Sequence, residues 1–182
     1  TAMAAQAGLV TASLKMDDLI AATGVSYRAL ALPSFMDNVL RQVEPIRSQG
    51  VFAMPLDGER KHPTCATKDI AAAAARLLLD RSWSGQGSVP VLGPEDLSGV
   101  DMARTMSDVL GKPVRFQQVP FEAFKARAKA IGMSEAFAQA YVDMMVAKDQ
   151  GLDDAEPRTA QSSSPTSFRR WCEDVLKPAM RG

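Results

Sequence analysis

Apolar and polar positions follow one another in blocks that predict helices and strands in turn. Between Ser13 and Ala22 the apolar residues fall on one side of a helix, which Gly24 ends. A nearly continuous apolar run from Val25 to Leu32 follows, and such a run predicts a strand buried on both faces. Pro33 ends that strand, so the chain begins with a helix and a strand.

Ser34 is placed to cap the next predicted helix, Phe35 to Ile46, which Pro45 should bend or end before Gly50 releases the chain. Strands and helices then alternate to Val119, after which only helices are predicted. The remaining predicted elements are strands 51–54, 64–66, 88–92 and 114–119 and helices 70–80, 98–110, 121–131, 134–150 and 167–176. This alternation predicts an α/β fold with right-handed crossovers.

Composition excludes several classes of protein. Lys and Arg together number 21 and so do Asp and Glu, so the chain lacks the cationic excess expected of a nucleic-acid-binding or membrane-surface protein. No apolar stretch approaches the roughly 20 residues of a membrane span. Cys65 and Cys172 form no CxxC pair and suit a reducing compartment, which predicts a cytoplasmic protein. With His62 as the single histidine, no histidine-based metal site is expected.

Several short motifs occur in a fixed order along the chain. They are Lys15 to Gly24, Pro33-Ser34-Phe35-Met36-Asp37-Asn38, Lys68-Asp69-Ile70-Ala71, Leu92 to Ser98 with its Gly-Pro-Glu turn, Leu110 to Val114, and Ser164 to Phe168. Each motif alone is weak, but in this order and spacing they resemble the NmrA-like family of atypical short-chain dehydrogenases. The resemblance extends from about residue 9 to residue 176.

The resemblance implies the C-terminal part of a Rossmann-like, doubly wound sheet, followed by a smaller, mainly helical substrate subdomain. Residues 1–92 would belong to the NAD(P)-binding domain and residues 93–182 to the substrate-binding or lid subdomain. No GxGxxG occurs, and the glycines at 85 and 87 precede a strand instead of following one. The loop that holds the pyrophosphate of NADP or NAD is therefore expected in an N-terminal half outside this sequence. We expect the chain to assemble with that half or with a second copy, because its strands would otherwise have open edges.

By the resemblance, Lys15 takes the place of a lysine at the nicotinamide end of the cleft, which makes it the candidate catalytic residue and a candidate cofactor contact. Its ammonium could bond ribose hydroxyls or relay a proton, whereas from the sequence alone it is one lysine on an exposed helix face. Pro33, Ser34 and Phe35 are the other cofactor-binding candidates, since ligands of open α/β sheets bind at the carboxyl ends of strands. The plain alternative is that Pro33 stops a strand, Ser34 caps a helix and Phe35 packs.

The substrate-binding candidates are Asn38, Phe121 and Tyr141. Asn38 can bond the substrate or the local backbone, and we favour the backbone. Phe121 and Tyr141 belong to a Met- and Phe-rich helical region whose spacing indicates core, although such a layer can also line a pocket for a flat hydrophobic ligand. His62 follows three charged residues and is expected on the surface, and Cys65 is expected in the core rather than as a nucleophile.

The resemblance predicts an NAD(P)H-dependent oxidoreductase, similar to quinone reductases, that acts on a small apolar substrate once joined to its N-terminal half. One departure favours a different function: family members usually carry Arg-Pro where this chain has Leu32-Pro33, and a guanidinium there would contact an anion or a carboxamide. No Tyr-x-x-x-Lys pair is present either, since Thr11 stands four residues before Lys15. The alternative is a non-catalytic NAD(P) sensor that binds a protein partner.

Overall fold

The computed structural model describes residues 3–181, and these residues form the predicted mixed α/β fold. The strands are β1 (Tyr27–Ala31), β2 (Ser34–Phe35), β3 (Val51–Met54), β4 (His62–Cys65), β5 (Gln86–Pro90), β6 (Asp96–Leu97) and β7 (Arg115–Gln118). The α-helices are α1 (Leu9–Ala22), α2 (Val43–Gln49), α3 (Thr67–Leu79), α4 (Gly99–Leu110), α5 (Phe121–Ala130), α6 (Glu135–Asp149), α7 (Phe168–Trp171) and α8 (Lys177–Ala179). Turns of 3-10 helix occupy Ala4–Gln6, Met36–Gln42 and Leu152–Ala155, and a π-helical turn, Cys172–Leu176, joins α7 to α8.

The strands pair in three small groups. β1 pairs with β5 and β3 pairs with β7, both in parallel, while β4 lies between β2, in parallel, and β6, which is antiparallel. Each parallel pair is joined by a crossover that contains a helix, as parallel strands require. Because β3 and β7 pair across residue 93, contacts cross the predicted division of the chain at residues 92 and 93, and that division stays a prediction.

The main core lies beneath α4 and the C-terminal helices. Met106, Phe168 and Leu176 are fully buried there, and Trp171 stacks on Phe168 with 5.6 Å between ring centroids. Phe168 and Trp171 therefore anchor the helix predicted over residues 167–176 in the core. Cys65 is also fully buried, as expected.

The first strand is less buried than predicted. Every residue of β1 is half-buried and Val25 is 51% exposed, because β5 is the one strand that pairs with β1 among residues 3–181. The prediction of a strand buried on both faces is wrong for this part of the chain.

The segment after Pro33 also differs from the prediction. Ser34 caps no helix, because it pairs with Thr64 in the β2–β4 ladder. The predicted helix is present in part: Met36–Gln42 forms a 3-10 helix, and α2 follows it. Pro45 lies in the first turn of α2, where the missing N–H has no helical partner to lose, so it neither bends nor ends the helix. Gly50 ends α2 in the left-handed conformation, with φ 62°, as expected.

The Met- and Phe-rich residues do not form one layer. Met102 and Met106 on α4 belong to the main core, whereas Phe124 and Tyr141 meet edge to face between α5 and α6, with centroids 4.8 Å apart. Phe137 is 46% exposed. The helical spacing correctly predicts that these side chains make apolar contacts. It cannot show that they form two separate clusters.

Candidate functional site

Helix α1 places Lys15 in solvent. The Tyr27 hydroxyl donates to Asp17 Oδ1 at 2.6 Å, so the side of α1 that carries Asp17 faces β1. Each residue of an α-helix is rotated by about 100° from the one before it, so residues two apart lie on nearly opposite sides. Lys15 therefore points away from that strand. Lys15 is exposed, and its side chain makes no hydrogen bond or ion pair with residues 3–181. Its predicted role stays a prediction.

The carboxyl end of β1 leads directly into the other cofactor-binding candidates. Pro33 is buried, Ser34 is half-buried and Phe35 is 37% exposed, so an aromatic ring lies partly open just past the strand end. Ser34 and Phe35 pair in parallel with Thr64 and Cys65 of β4. The structure thus brings Pro33, Ser34 and Phe35 together at a strand end, where α/β folds commonly bind ligands.

Asn38 lies on the exposed side of the 3-10 turn that follows β2. Its side chain makes no hydrogen bond with the part of the chain that the structure describes, so the favoured bond to the local backbone is not formed there. Asp37 beside it is engaged: its Oδ2 accepts from the Thr67 amide, the first of α3, at 3.0 Å.

A polar cluster that the sequence did not reveal lies beside this strand end. Lys148, at the end of α6, donates to both carboxylate oxygens of Asp153 at 2.7 and 2.6 Å. The Ser34 hydroxyl donates to Asp153 Oδ2 at 3.4 Å. Asp153 belongs to the segment 151–164, which composition predicts as a polar connector, and nothing local marks it as the partner of a strand 119 residues away.

His62 is buried at the start of β4, so the expectation of a surface histidine is wrong. It is 5% exposed, and burial lowers the pKa of its imidazole below 6.5. The negative charge of Asp153 opposes that shift, while the positive charges of Lys148 and Arg60 lower the pKa of His62 further. At neutral pH the imidazole is therefore neutral and can accept a proton only at a cost in free energy.

The thiol of Cys65 is unsuited to nucleophilic chemistry. Burial raises its pKa to about 12, and the nearby carboxylates of Asp69, Asp37 and Asp153 act in the same direction. Because the thiolate is the reactive form, the structure supports the expectation that Cys65 is a core residue.

The turn at Gly93 closes over β4. The Gly93 amide donates to the Thr64 carbonyl at 2.7 Å, and a Cβ at Gly93 would lie 2.3 Å from that oxygen, so this close approach requires glycine. Arg158 Nε donates to the Gly93 carbonyl at 2.9 Å and its guanidinium pairs with Asp96. The Gly-Pro-Glu motif therefore holds β4 through a backbone hydrogen bond.

Phe121 and Tyr141, the remaining substrate candidates, lie on α5 and α6. Phe121 lines a shallow cavity of about 330 Å³ with Pro55, Gln118, Val119 and Pro120. That cavity lies at the carboxyl ends of β3 and β7, a second parallel strand end. Tyr141 instead packs against Phe124, so the structure does not join the two candidates in one pocket.

Two kinds of site are not found among residues 3–181. No group of three or more His, Cys, Asp or Glu side chains there could hold a metal ion. Within the same range, no helix combines the length and apolar character needed to cross a bilayer.

Comparison with known proteins gives consistent relatives. The model of the NmrA-like family matches residues 16–171. An NAD(P)H azoreductase from Xenophilus azovorans is 36% identical over 118 residues, which are 65% of this chain and 41% of that protein. Quinone oxidoreductase 2 from Escherichia coli strain K12 is 24% identical over 162 residues, which are 88% of this chain and 56% of that protein.

Solved structures share the fold. The NADPH-dependent quinone oxidoreductase of Escherichia coli, crystallised in complex with NADPH, superposes with a TM-score of 0.73 at 23% identity. The superposition covers 94% of this chain and 60% of that one. This chain thus spans about half the length of the curated relatives that it matches, and its fold is the Rossmann-like α/β fold of NAD(P)-binding reductases.

Proposed function

This chain belongs to the NmrA-like family, and from that premise we propose that it supplies the substrate side of an NAD(P)H-dependent oxidoreductase that transfers hydride to a small apolar acceptor. The observation that carries the proposal is the family match over residues 16–171, together with the 36% identity to an NAD(P)H azoreductase. That relative and the quinone oxidoreductase are named for conjugated acceptors that take up a hydride and a proton.

The residues of this chain fit one end of a dinucleotide. Phe35 offers a partly exposed ring at the carboxyl end of a strand, where a flat nicotinamide ring could pack. The sequence contains no GxGxxG that could cradle the pyrophosphate, so a further segment is needed to hold NAD or NADP completely. A reduced nicotinamide bound there would supply the hydride.

In this proposal the residues of the chain orient the acceptor and deliver the proton. Lys15 is the candidate donor: its Nζ would release a proton to the reduced acceptor and regain one from solvent, because its side chain is exposed. Pro33, Ser34 and Phe35 would bound the nicotinamide end. Asn38, Phe121 and Tyr141 would contact the acceptor once the crevice is closed by the rest of the protein.

The test is turnover by a protein that carries this chain together with a nucleotide-binding segment of the family. We expect loss of NADPH absorbance with one or more members of a panel of quinones and azo dyes, and a lower kcat for Lys15→Met. Lys129→Met, another lysine on a helix surface, serves as the matched control and should leave kcat unchanged. Absence of NADPH oxidation with every acceptor would refute the oxidoreductase function.

The second candidate is a non-catalytic sensor in which bound dinucleotide changes the affinity for a protein partner. It is favoured by the position of Thr11, whose hydroxyl donates to the Ala4 carbonyl at 2.8 Å and accepts from the Ala7 amide at 2.9 Å. Thr11 thus works as a local support of α1 and not as the partner of Lys15. A sensor should discriminate between NADP⁺ and NADPH in direct binding without turnover, and equal affinities would count against it.

A further inference from the structure

The Lys148–Asp153 ion pair is the least exposed of the ion pairs among residues 3–181. The Lys148 side chain is 12% exposed and that of Asp153 is 8% exposed. In every other ion pair within that range both side chains are at least 24% exposed. Both charges are thus largely removed from water, which costs free energy that the exposed ion pairs do not incur.

Stability alone does not explain the pair. The attraction between two buried charges is largely offset by the desolvation of both, and well-packed apolar side chains in their place often stabilise a protein as much or more. A buried pair does fix geometry, because breaking its contacts leaves a charge without a partner. The question is therefore which parts of the fold the pair holds in place.

The pair joins the helical part of the chain to the strand end of the candidate site. Lys148 lies at the end of α6 and Asp153 in the 3-10 turn Leu152–Ala155, which contacts β4. Asp153 accepts from the Ser34 hydroxyl, and Ser34 lies opposite Thr64 in the parallel β2–β4 ladder. A shift of the carboxylate would be transmitted to the two residues that follow Pro33.

The buried imidazole of His62 reports on the same pair. Asp153 raises the pKa of His62 while Lys148 and Arg60 lower it, so both members of the pair lie close enough to act on the ring. His62 begins β4, the strand that pairs with Ser34 and Phe35.

We propose that Lys148 and Asp153 are positioning residues: their largely buried ion pair holds the Ser34–Phe35 strand end in the geometry that the nicotinamide end of the cofactor requires. The catalytic consequence rests on the proposed reductase function, whereas the structural consequence does not. Neither side chain takes part in the hydride or proton transfer.

The first test needs no activity. His62 is the single histidine of the sequence, so its imidazole signals in NMR spectra of the full 182-residue chain are unambiguous. We expect Asp153→Asn to lower the pKa of His62 and Lys148→Met to raise it. Simple loosening of the region would move the pKa toward 6.5 in Asp153→Asn as well, and a raised pKa of His62 in that variant would overturn the proposal. Asp108→Asn, which breaks an exposed pair with Arg169, is the matched control.

The second test separates positioning from stability. The double variant Lys148→Met/Asp153→Leu replaces the pair by apolar side chains of similar volume. Its Tm is expected to be at least as high as that of Asp153→Asn. Even so, the amide hydrogens of Ser34 and Phe35 should exchange faster in the double variant than in the wild-type chain. Wild-type exchange rates in the double variant would overturn the proposal.

The third test uses a longer protein that contains the nucleotide-binding segment. There the kcat of the double variant should fall about tenfold or more, since small misplacements of reacting groups carry costs of that order. The single variant Lys148→Arg, which keeps a cation beside Asp153, should retain part of the activity that the double variant loses. If the wild type itself does not oxidise NADPH, the proposed function fails while the exchange and NMR results still decide the role of the pair. Full kcat in the double variant would contradict the catalytic consequence.

Discussion

At the scale of single residues, a neutral imidazole is buried beside charged groups, and this gives the protein a defined response to acid. Burial lowers the pKa of His62 in the folded chain below its unfolded value of 6.5. The unfolded chain therefore binds the proton more tightly in the interval between the two pKa values. The contribution of His62 to stability is complete above pH 6.5 and declines as the pH falls through the folded pKa.

We expect His62→Gln to weaken this pH dependence. The drop in Tm between about pH 7.5 and about pH 5.5 should be smaller in the variant than in the wild-type chain, because the variant has no imidazole to protonate. Lys61→Gln, whose side chain is 67% exposed, is the control and should show the wild-type drop. An equal drop in all three proteins would mean that His62 is not held neutral by the fold.

The type of a residue predicts its burial well only where the neighbouring residues make no long-range polar contact. Cys65, Phe168 and Trp171 are in the core, as their apolar character indicates. The charged residues Glu59, Arg60 and Lys61 before His62 predict a surface position, yet Arg60 pairs with Asp154, 94 residues away. A contact of that separation leaves no local signal, and the hydrogen bond from Ser34 to Asp153 cannot be predicted from the sequence for the same reason.

At the scale of elements, the same local motif has two outcomes. Ser98 and Ser34 both begin a Ser-x-x-Asp sequence, the usual signature of a capped helix. Ser98 forms a full capping box with Asp101 at the start of α4. Ser34 instead enters the β2–β4 ladder, and its Asp37 accepts from the first amide of α3. Strand pairing therefore overrides a local preference at Ser34, which caps no helix, whereas the helix predicted at Ser98 is confirmed. The helix predicted from Phe35 is present as the 3-10 helix Met36–Gln42 followed by α2.

The capping box should be measurable as stability. Ser98→Ala removes the acceptor for the Asp101 amide and leaves that N–H without its partner, which should lower the free energy of unfolding by about 1 kcal/mol. Urea denaturation followed by circular dichroism gives this value. Ser13→Ala, in the exposed middle of α1, is the control and should change it by less than about 0.5 kcal/mol. A loss for Ser98→Ala no larger than that of the control would show that the cap contributes nothing.

At the scale of the whole molecule, more surface is exposed than a compact chain of this mass requires. The accessible surface is 10083 Å² for 19.5 kDa, whereas the scaling for folded monomers gives about 8,500 Å². The difference, about 1,600 Å², is about twice the roughly 800 Å² that one partner buries in a standard protein interface. Leu78 and Leu79 at the end of α3 are 82% and 83% exposed, and the β1–β5 pair has no further strand beside it among residues 3–181.

We therefore expect the chain to assemble through the face that carries Leu78 and Leu79, either with a nucleotide-binding segment of its family or with a second copy. Exposed strand edges and adjacent leucines are unfavourable in water and are commonly covered by a partner. Mass measurement in solution should give more than 19.5 kDa for the chain alone, and Leu78→Glu/Leu79→Glu should shift it toward the monomer. Ile131→Glu is the matched control, since Ile131 is 76% exposed at the end of α5, and it should leave the mass unchanged. The expectation would be contradicted if the unaltered chain is a stable monomer and also fails to bind a separately produced nucleotide-binding segment. That result would show that these leucines and the open strand pair are tolerated in water without a partner.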